Sequence, residues 1–413
     1  MSKKRRAAEA AEAAVASSGG SEFDERDPVS VFRCLALQGV VRENHAGSIN
    51  DLAFCRVHAP FANLVADVAG TQANVYRVPA DAETVDSFLH FLNDGPFPAR
   101  VAAAPVDLTL LACAWLVLRD VDTPDDAHSA RDAWLAVAGA DCTVHVLSLA
   151  LGRELFQLAG HADAVVALES CAGVRELLLS LSAAGDVRVW NVGTRACVAV
   201  YATDATCIAL SPDGTTFYTG HRHGAVRTWR VPAAAVDTQT CTDDDALATV
   251  ALPQRVGALR AARGAVVALD RRPALSVLTA AADRHDVDSD ATVVARHVHH
   301  WWSVPSVTEQ CNVDVSPDGA RVLLGDSAGD LTLFSAVTGL PLALKKAQSR
   351  SIALRRAQWS HDGRGVVCVG DGPFVWRWKF MHPSVRSELD DEFKQTLAMR
   401  ELEQKVRAER PGE

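Results

Sequence analysis

Three histidines fall within four residues, His297, His299 and His300, directly before Trp301-Trp302. Alternating imidazoles on an extended strand share one face, where neutral ring nitrogens can meet a transition-metal ion. No paired cysteine or spaced carboxylate accompanies them, and residues 283–303 have the composition of a loop insertion. The ten cysteines are scattered with no Cys-x-x-Cys pair, so neither a zinc ribbon nor a redox dithiol is written here. A Walker loop, a Gly-x-Gly-x-x-Gly turn after a strand, a Gly-x-Ser-x-Gly elbow and a His-Glu-x-x-His helix are all missing. An enzyme would have to be assembled from scattered Ser, His and Asp. The expectation is a chain with no catalytic residue, no metal and no cofactor.

Basic residues number 41 and acidic ones 51, and the net charge of −10 argues against general affinity for nucleic acid or an acidic membrane. With 48% hydrophobic and 22% charged residues the chain can bury a large core and is not wholly disordered. The longest apolar run, Leu110 to Leu118, is too short to cross a bilayer. No secretory segment or Asn-x-Ser/Thr sequon occurs, which predicts reduced thiols in an intracellular protein. Residues 1–28 read as an unpacked arm opening with Lys3-Lys4-Arg5-Arg6. That tetrad has the pattern of a nuclear import signal, although short basic runs also arise at N-termini by chance.

From residue 29 to 380 the pattern changes to short apolar runs bounded by Gly, Asp, Pro and Asn, as strands require. Leu177 to Asn191 reads strand, small-residue turn, strand ending in Trp-Asn, and Thr215 to Val231 repeats the plan. Aligning that unit along the chain marks Tyr76, Leu147, Trp190, Trp229, Leu278, Phe334 and Trp378, at intervals of 71, 43, 39, 49, 56 and 44 residues. Repeats of roughly 40–45 residues with four strands each are the signature of WD-repeat propellers. Residues 119–133, 232–245 and 283–303 read as insertions that lengthen three intervals. A Ser-Pro-Asp-Gly turn recurs at Ser211–Gly214 and Ser316–Gly319, and His361-Asp362-Gly363 holds the matching place in the last unit. The prediction is an all-β, seven-bladed propeller, with residues 29–41 supplying the outer strand of the last blade and so removing two exposed edges.

Gly160-His161 stands twenty-nine residues before Trp190. In WD repeats such a His joins a strand Ser or Thr, a turn Asp and the Trp in a buried hydrogen-bonded set, which is cheap only when complete. Six residues before Trp190 the Asp place holds Ala184, with Asp186 close by; the same place is Asp141 in the second blade and His223 in the fourth. Structure, not catalysis, is the expected role of these residues.

Longer strings resemble one WD-repeat family, the Extra sex combs/embryonic ectoderm development (EED) subunit of Polycomb repressive complex 2. They are Glu43-Asn44-His45; Cys113-Ala114-Trp115 followed by Leu135 to Gly139; Gly160-His161-Ala162 with Leu179 to Ser182 and Val187 to Asn191; and Phe374-Val375-Trp376-Arg377-Trp378. The resemblance runs through roughly residues 30–380. It implies a non-catalytic nuclear scaffold that holds the SET-domain histone methyltransferase subunit and other complex subunits, with a histone tail as a further ligand. It also implies an aromatic cage for trimethyl-lysine, since cation–π attraction needs rings. In this chain the cage positions fall on Asn50, Leu111, Cys311 and Asn312, none aromatic. Trp301, Trp302 and Trp359 are the candidate substitutes for recognition, and Arg377 is expected to face the central channel. The competing reading is a WD-repeat adaptor of an unrelated complex, a ubiquitin-ligase substrate receptor or an RNA-processing scaffold.

After Phe380 the period switches. Residues 381–413 predict an amphipathic helix with acidic Glu388, Asp390, Asp391 and Glu392 near its start. Leu389, Phe393, Leu397, Leu402 and Val406 form one apolar stripe, suited either to a partner or to the chain's own propeller.

Overall fold

The computed structural model describes residues 27–42, 47–56, 61–78, 86–94, 107–116, 132–170, 176–232, 238–262, 265–270, 275–280, 295–300, 313–326, 329–336, 341–345 and 353–384. They form seven sheets, each built around four strands, a to d from the axis outward. Strands a are Asp51–Phe54, Leu110–Leu116, Val165–Glu169, Ala205–Leu210, Val256–Ala262, Val313–Val315 and Leu354–Trp359 for blades 1 to 7. Each touches the next, and that of blade 7 touches that of blade 1, so the ring closes.

The seven marker residues all lie on strands c: Gln72–Arg77, Thr143–Ser148, Val187–Asn191, Ala225–Arg230, Leu275–Ala280, Leu331–Ser335 and Phe374–Phe380. All seven are buried. In blades 1, 2, 3 and 6 the pairing with strand d slips at the marker, between Val75 and Tyr76, Val146 and Leu147, Val189 and Trp190, and Leu333 and Phe334. Such a bulge adds local twist, which turns a flat sheet into a propeller blade. The apolar core is correspondingly divided into seven seams between neighbouring blades. Tyr201, Phe217 and Trp229 fill one of them, with ring centroids 4.9 to 6.2 Å apart.

Closure is made by Leu35–Arg42, which pairs antiparallel with Phe374–Phe380 as strand d of blade 7. The expected outer strand therefore exists, but it starts later than residue 29. Pro28–Arg33 is instead a short helix, because Asp27 accepts hydrogen bonds from Val29 and Ser30 N–H while Pro28 sits in the first turn. That helix drives Phe32 into the seam of blades 6 and 7, against Trp359 at 5.8 Å.

Two insertions also differ from expectation. From 232–245, Gln239–Cys241 joins blade 3 as a fifth strand, parallel to Ala196–Tyr201. From 283–303, Ala295–His300 is strand d of blade 5, with His299 and His300 paired to Val277 and Ser276. Residues 1–26, most of 119–133, Trp301, Trp302, Cys311, Asn312 and the stripe Leu389 to Val406 lie outside the described residues.

Replacing Phe32 with alanine should lower stability by about 3–5 kcal/mol, the usual cost of emptying a buried aromatic site. A lower denaturant midpoint with an unchanged fold in circular dichroism is the expected reading; an unchanged midpoint would show that the helix does not clamp the seam.

Candidate functional site

Two constellations look like chemistry. In blade 3, Ser180 Oγ lies 2.6 Å from His161 Nε2, and His161 Nδ1 lies 2.9 Å from Asp186. This is the connectivity of a nucleophilic triad. A carboxylate only accepts, so Nδ1 carries the proton and Nε2 accepts from the serine hydroxyl. Yet Ser180 is 0% exposed, and the Trp190 indole N–H donates to its oxygen at 2.8 Å. A nucleophile without access to substrate cannot react, so the set is a buried hydrogen-bond chain from indole to carboxylate. Asp186 thus takes the role that Ala184 cannot, and its hydrogen bond from His161 holds its carboxyl well below the usual range.

Blade 4 builds the same chain with its ends exchanged. Trp229 Nε1 donates to Thr219 Oγ1 at 2.8 Å, Thr219 meets His221 Nε2 at 2.8 Å, and His221 Nδ1 meets Asp204 at 2.5 Å. Here the imidazole comes from the end of strand b and the carboxylate from the loop before strand a. The expected position, His223, is not the one used. Burial lowers the His221 pKa despite Asp204 beside it. The two sets abut: Gly185 has φ of 100°, and a Cβ there would stand 2.8 Å from the Asp204 backbone.

In blade 2, Asp141 bonds His145 Nε2 at 2.7 Å and accepts from Asn93 at 3.0 Å, while Glu154 lies 3.4 Å from His145 Nδ1. Burial opposes charge on this ring, but the two carboxylates outweigh it and raise its pKa to about 9.

The central channel forms a cavity of about 480 Å³ lined by strands a of all seven blades. Pro212, Pro317 and Gly319 of the recurring turns mark the end at which strands a run into strands b. Those turns share one geometry. Gly214, Gly319 and Gly363 have φ of 68°, 73° and 68°, and the serine oxygen of each turn accepts the N–H five residues on.

Among the described residues, three ion pairs cross the channel wall. Arg56 grips Asp314 with both terminal nitrogens, at 3.0 and 2.5 Å, tying blade 1 to blade 6. Asp314 also accepts from Trp359 N–H at 2.8 Å. Arg356 Nε lies 3.1 Å from Asp51, and Arg260 pairs with Glu169 between blades 5 and 3. Burial pushes the Glu169 carboxyl up, opposed by Arg260. Three guanidinium groups face three carboxylates, so the charges of these pairs cancel.

The predicted recognition residues do not gather here. Arg377 is buried on strand c of blade 7 and lines a groove toward blade 1, not the channel as expected. Trp359 is 1% exposed within the core seam against Phe32, so it presents no ring to a ligand. Asn50 and Leu111 stand at the starts of strands a of blades 1 and 2, and the Asn50 amide donates to the Leu110 carbonyl at 2.8 Å. The channel pairs escaped sequence reading. For Asp314 the signal was one charge inside an otherwise apolar inner strand, Val313-Asp314-Val315.

A model of the WD domain, G-beta repeat, matches residues 196–230, from the outer strand of blade 3 through strand c of blade 4. Autophagy-related protein 16 of Arabidopsis thaliana is 21% identical over 245 residues, 56% of this chain and only 42% of that protein's length. A chain in the crystal structure of Chaetomium thermophilum Polycomb repressive complex 2 superposes with a TM-score of 0.64 at 11% identity, covering 84% of this chain and 98% of that one. An inhibitor-bound humanized mutant of that complex gives 0.64 at 10% identity, covering 84% and 97%. The fold is an all-β WD-repeat propeller.

Removing the Asp314 carboxylate (Asp314→Ala) leaves Arg56 uncompensated and should cost roughly 3 kcal/mol, with Asp314→Asn milder because it keeps an acceptor; equal denaturation midpoints for both variants and wild type would exclude this anchoring role. His145 gives a pH test. Its folded pKa is raised from an unfolded value near ~6.5, so its stabilisation is complete below that pH and is lost as pH rises through about 9. The melting temperature should fall between these limits, and His145→Gln should flatten that slope.

Proposed function

We propose that this chain is a non-catalytic scaffold of a Polycomb repressive complex 2-like assembly in the nucleus, holding a SET-domain histone methyltransferase subunit. What carries the reading is the ordered series of blade strings from Cys113-Ala114-Trp115 to the closing Trp376-Arg377-Trp378, all within one closed ring. The fold-level likeness to a chain of that complex is compatible with it. The non-catalytic half rests on the complete burial of the Ser180 and Thr219 hydroxyls and the mutual neutralisation of the channel charges. Lysine-methyl reading is not part of the proposal, because Asn50 and Leu111 offer no π face and Trp359 is enclosed in the core.

A second reading, a WD-repeat adaptor of another complex, is favoured by the likeness to autophagy-related protein 16. Affinity purification of the tagged chain from its own cells, with mass spectrometry of its companions, separates the two. A stoichiometric SET-domain methyltransferase is the expected result. A ubiquitin-ligase adaptor, splicing factors or autophagy proteins in its place would overturn the Polycomb reading and leave the adaptor.

A further inference from the structure

The outermost strand of blade 3 comes from its neighbour. Gln239–Cys241 and the short helix Asp243–Asp245 belong to the segment between strands c and d of blade 4, yet Gln239–Cys241 lies along the outer strand Ala196–Tyr201 of blade 3. This strap is lightly held. It pairs over three residues in the parallel mode, which is slightly weaker per residue than the antiparallel one. Gln239 and Thr240 are exposed, Thr238 Oγ1 donates to the Cys197 carbonyl at 2.8 Å, and Ala202 N–H donates to the Cys241 carbonyl at 3.0 Å. From blade 4 it is gripped by Arg227, whose Nη1 donates to Asp243 at 2.7 Å.

That same nitrogen lies 3.3 Å from both ring nitrogens of His221, so it rests on the face of the imidazole. The groups that face His221 are Thr219 from its own strand, Asp204 from the loop before strand a, Arg227 from strand c and, beyond it, Asp243 of the strap. The hydrogen-bond chain here runs one way, with Trp229 donating to Thr219, Thr219 to His221 Nε2, and Nδ1–H to Asp204. A second proton on the ring would set Nε2–H against the Thr219 hydroxyl, donor against donor, at a residue only 1% exposed. It would also turn the ring's attraction for the guanidinium above it into repulsion. Burial, with Arg227, keeps the His221 pKa below its ordinary value against the pull of Asp204 and Asp243. His145, with a carboxylate at each nitrogen, is built the opposite way.

We propose that the strap is a pH-gated cover on the outer edge of blade 3: protonation of His221 lifts Arg227 off the ring, and residues 238–245 then leave Ala196–Tyr201. Once off the ring, Arg227 holds the exposed Asp243 only as a solvated surface pair, which is worth little. The neutral ring gives its full support above its unfolded value near ~6.5, and that support is lost as pH falls through the lower folded value. Release bares a strand edge, on which an extended segment of another chain can pair. The device works whichever complex the chain joins.

Hydrogen–deuterium exchange mass spectrometry on the full chain tests it, read as protection factors so that the intrinsic pH dependence of exchange drops out. Between about pH 7.5 and about pH 5, protection over 238–245 and 196–201 should fall about tenfold while that over Phe374–Phe380 holds. Asp243→Asn alters an exposed side chain, so the propeller should persist. It should lower strap protection already at about pH 7.5 and leave little further fall at about pH 5. His221→Gln keeps an acceptor for Thr219 and takes no proton, so its strap should stay protected at both; where that buried substitution prevents folding, Asp243→Asn decides alone. Wild-type protection that ignores pH, or a fall that persists undiminished in Asp243→Asn, would overturn the proposal. Equal loss over Phe374–Phe380 would overturn it too, by showing acid opening of the whole ring.

Discussion

Everything in this molecule depends on one long-range pairing, that of Leu35–Arg42 with Phe374–Phe380. The partners are more than three hundred residues apart, but the entropy of closing a loop grows only logarithmically with its length. The distance is therefore a small penalty beside the strand pairing and the burial of Phe32 and Leu35 that accompany it. Without the pairing, the last blade would present an open edge. Each blade buries its faces only against neighbours, so closure is also what makes all seven seams two-sided.

Within that ring the polar interiors of blades 3 and 4 obey a single accounting rule, which the Trp359 indole N–H, buried without an acceptor among the described residues, does not meet. An indole N–H buried in a seam needs an acceptor, the accepting hydroxyl needs an acceptor for its own proton, and the chain must end on a group that can hold charge. Blade 3 satisfies this through Ser180, His161 and Asp186, and blade 4 through Thr219, His221 and Asp204. The two blades draw imidazole and carboxylate from opposite segments, so what is preserved is the order of donors and acceptors in space. Leu147, Leu278 and Phe334 at the equivalent marker place bring no N–H, which removes the demand. Degenerate copies of the repeat are thus energetically sound.

The strand-c positions were readable because turn, apolar alternation and a terminal large residue coincide there, and all seven markers fell on that strand. Val29 to Cys34 misled because Val29, Val31 and Phe32 in so short a stretch fit either period; the deciding signal was the Asp27-Pro28 cap. Gln239–Cys241 and Ala295–His300 escaped as strands because an edge strand meets solvent on one side and need not read as apolar. The channel ion pairs were invisible for a different reason. The partners sit on or beside inner strands of different blades, and Arg56 meets Asp314 only when blades 1 and 6 come around the ring to flank blade 7.

Charge cancellation in the channel limits how this propeller can recognise anything. Three guanidinium groups engaged by three carboxylates leave little net field along the axis to draw a ligand inward. Rim and seam surfaces are the other faces this ring presents. At one end those surfaces are built from turns in which serine, aspartate and a left-handed glycine lock one another, in blades 4, 6 and 7 alike. A rim whose backbone is already fixed loses little entropy when a segment lies across it, so even a short peptide can be held there. The groove at the seam of blades 7 and 1 opens on that end, over an apolar floor that includes Phe54 and Trp378. That groove therefore lies on the seam whose strand pairing holds the ring shut.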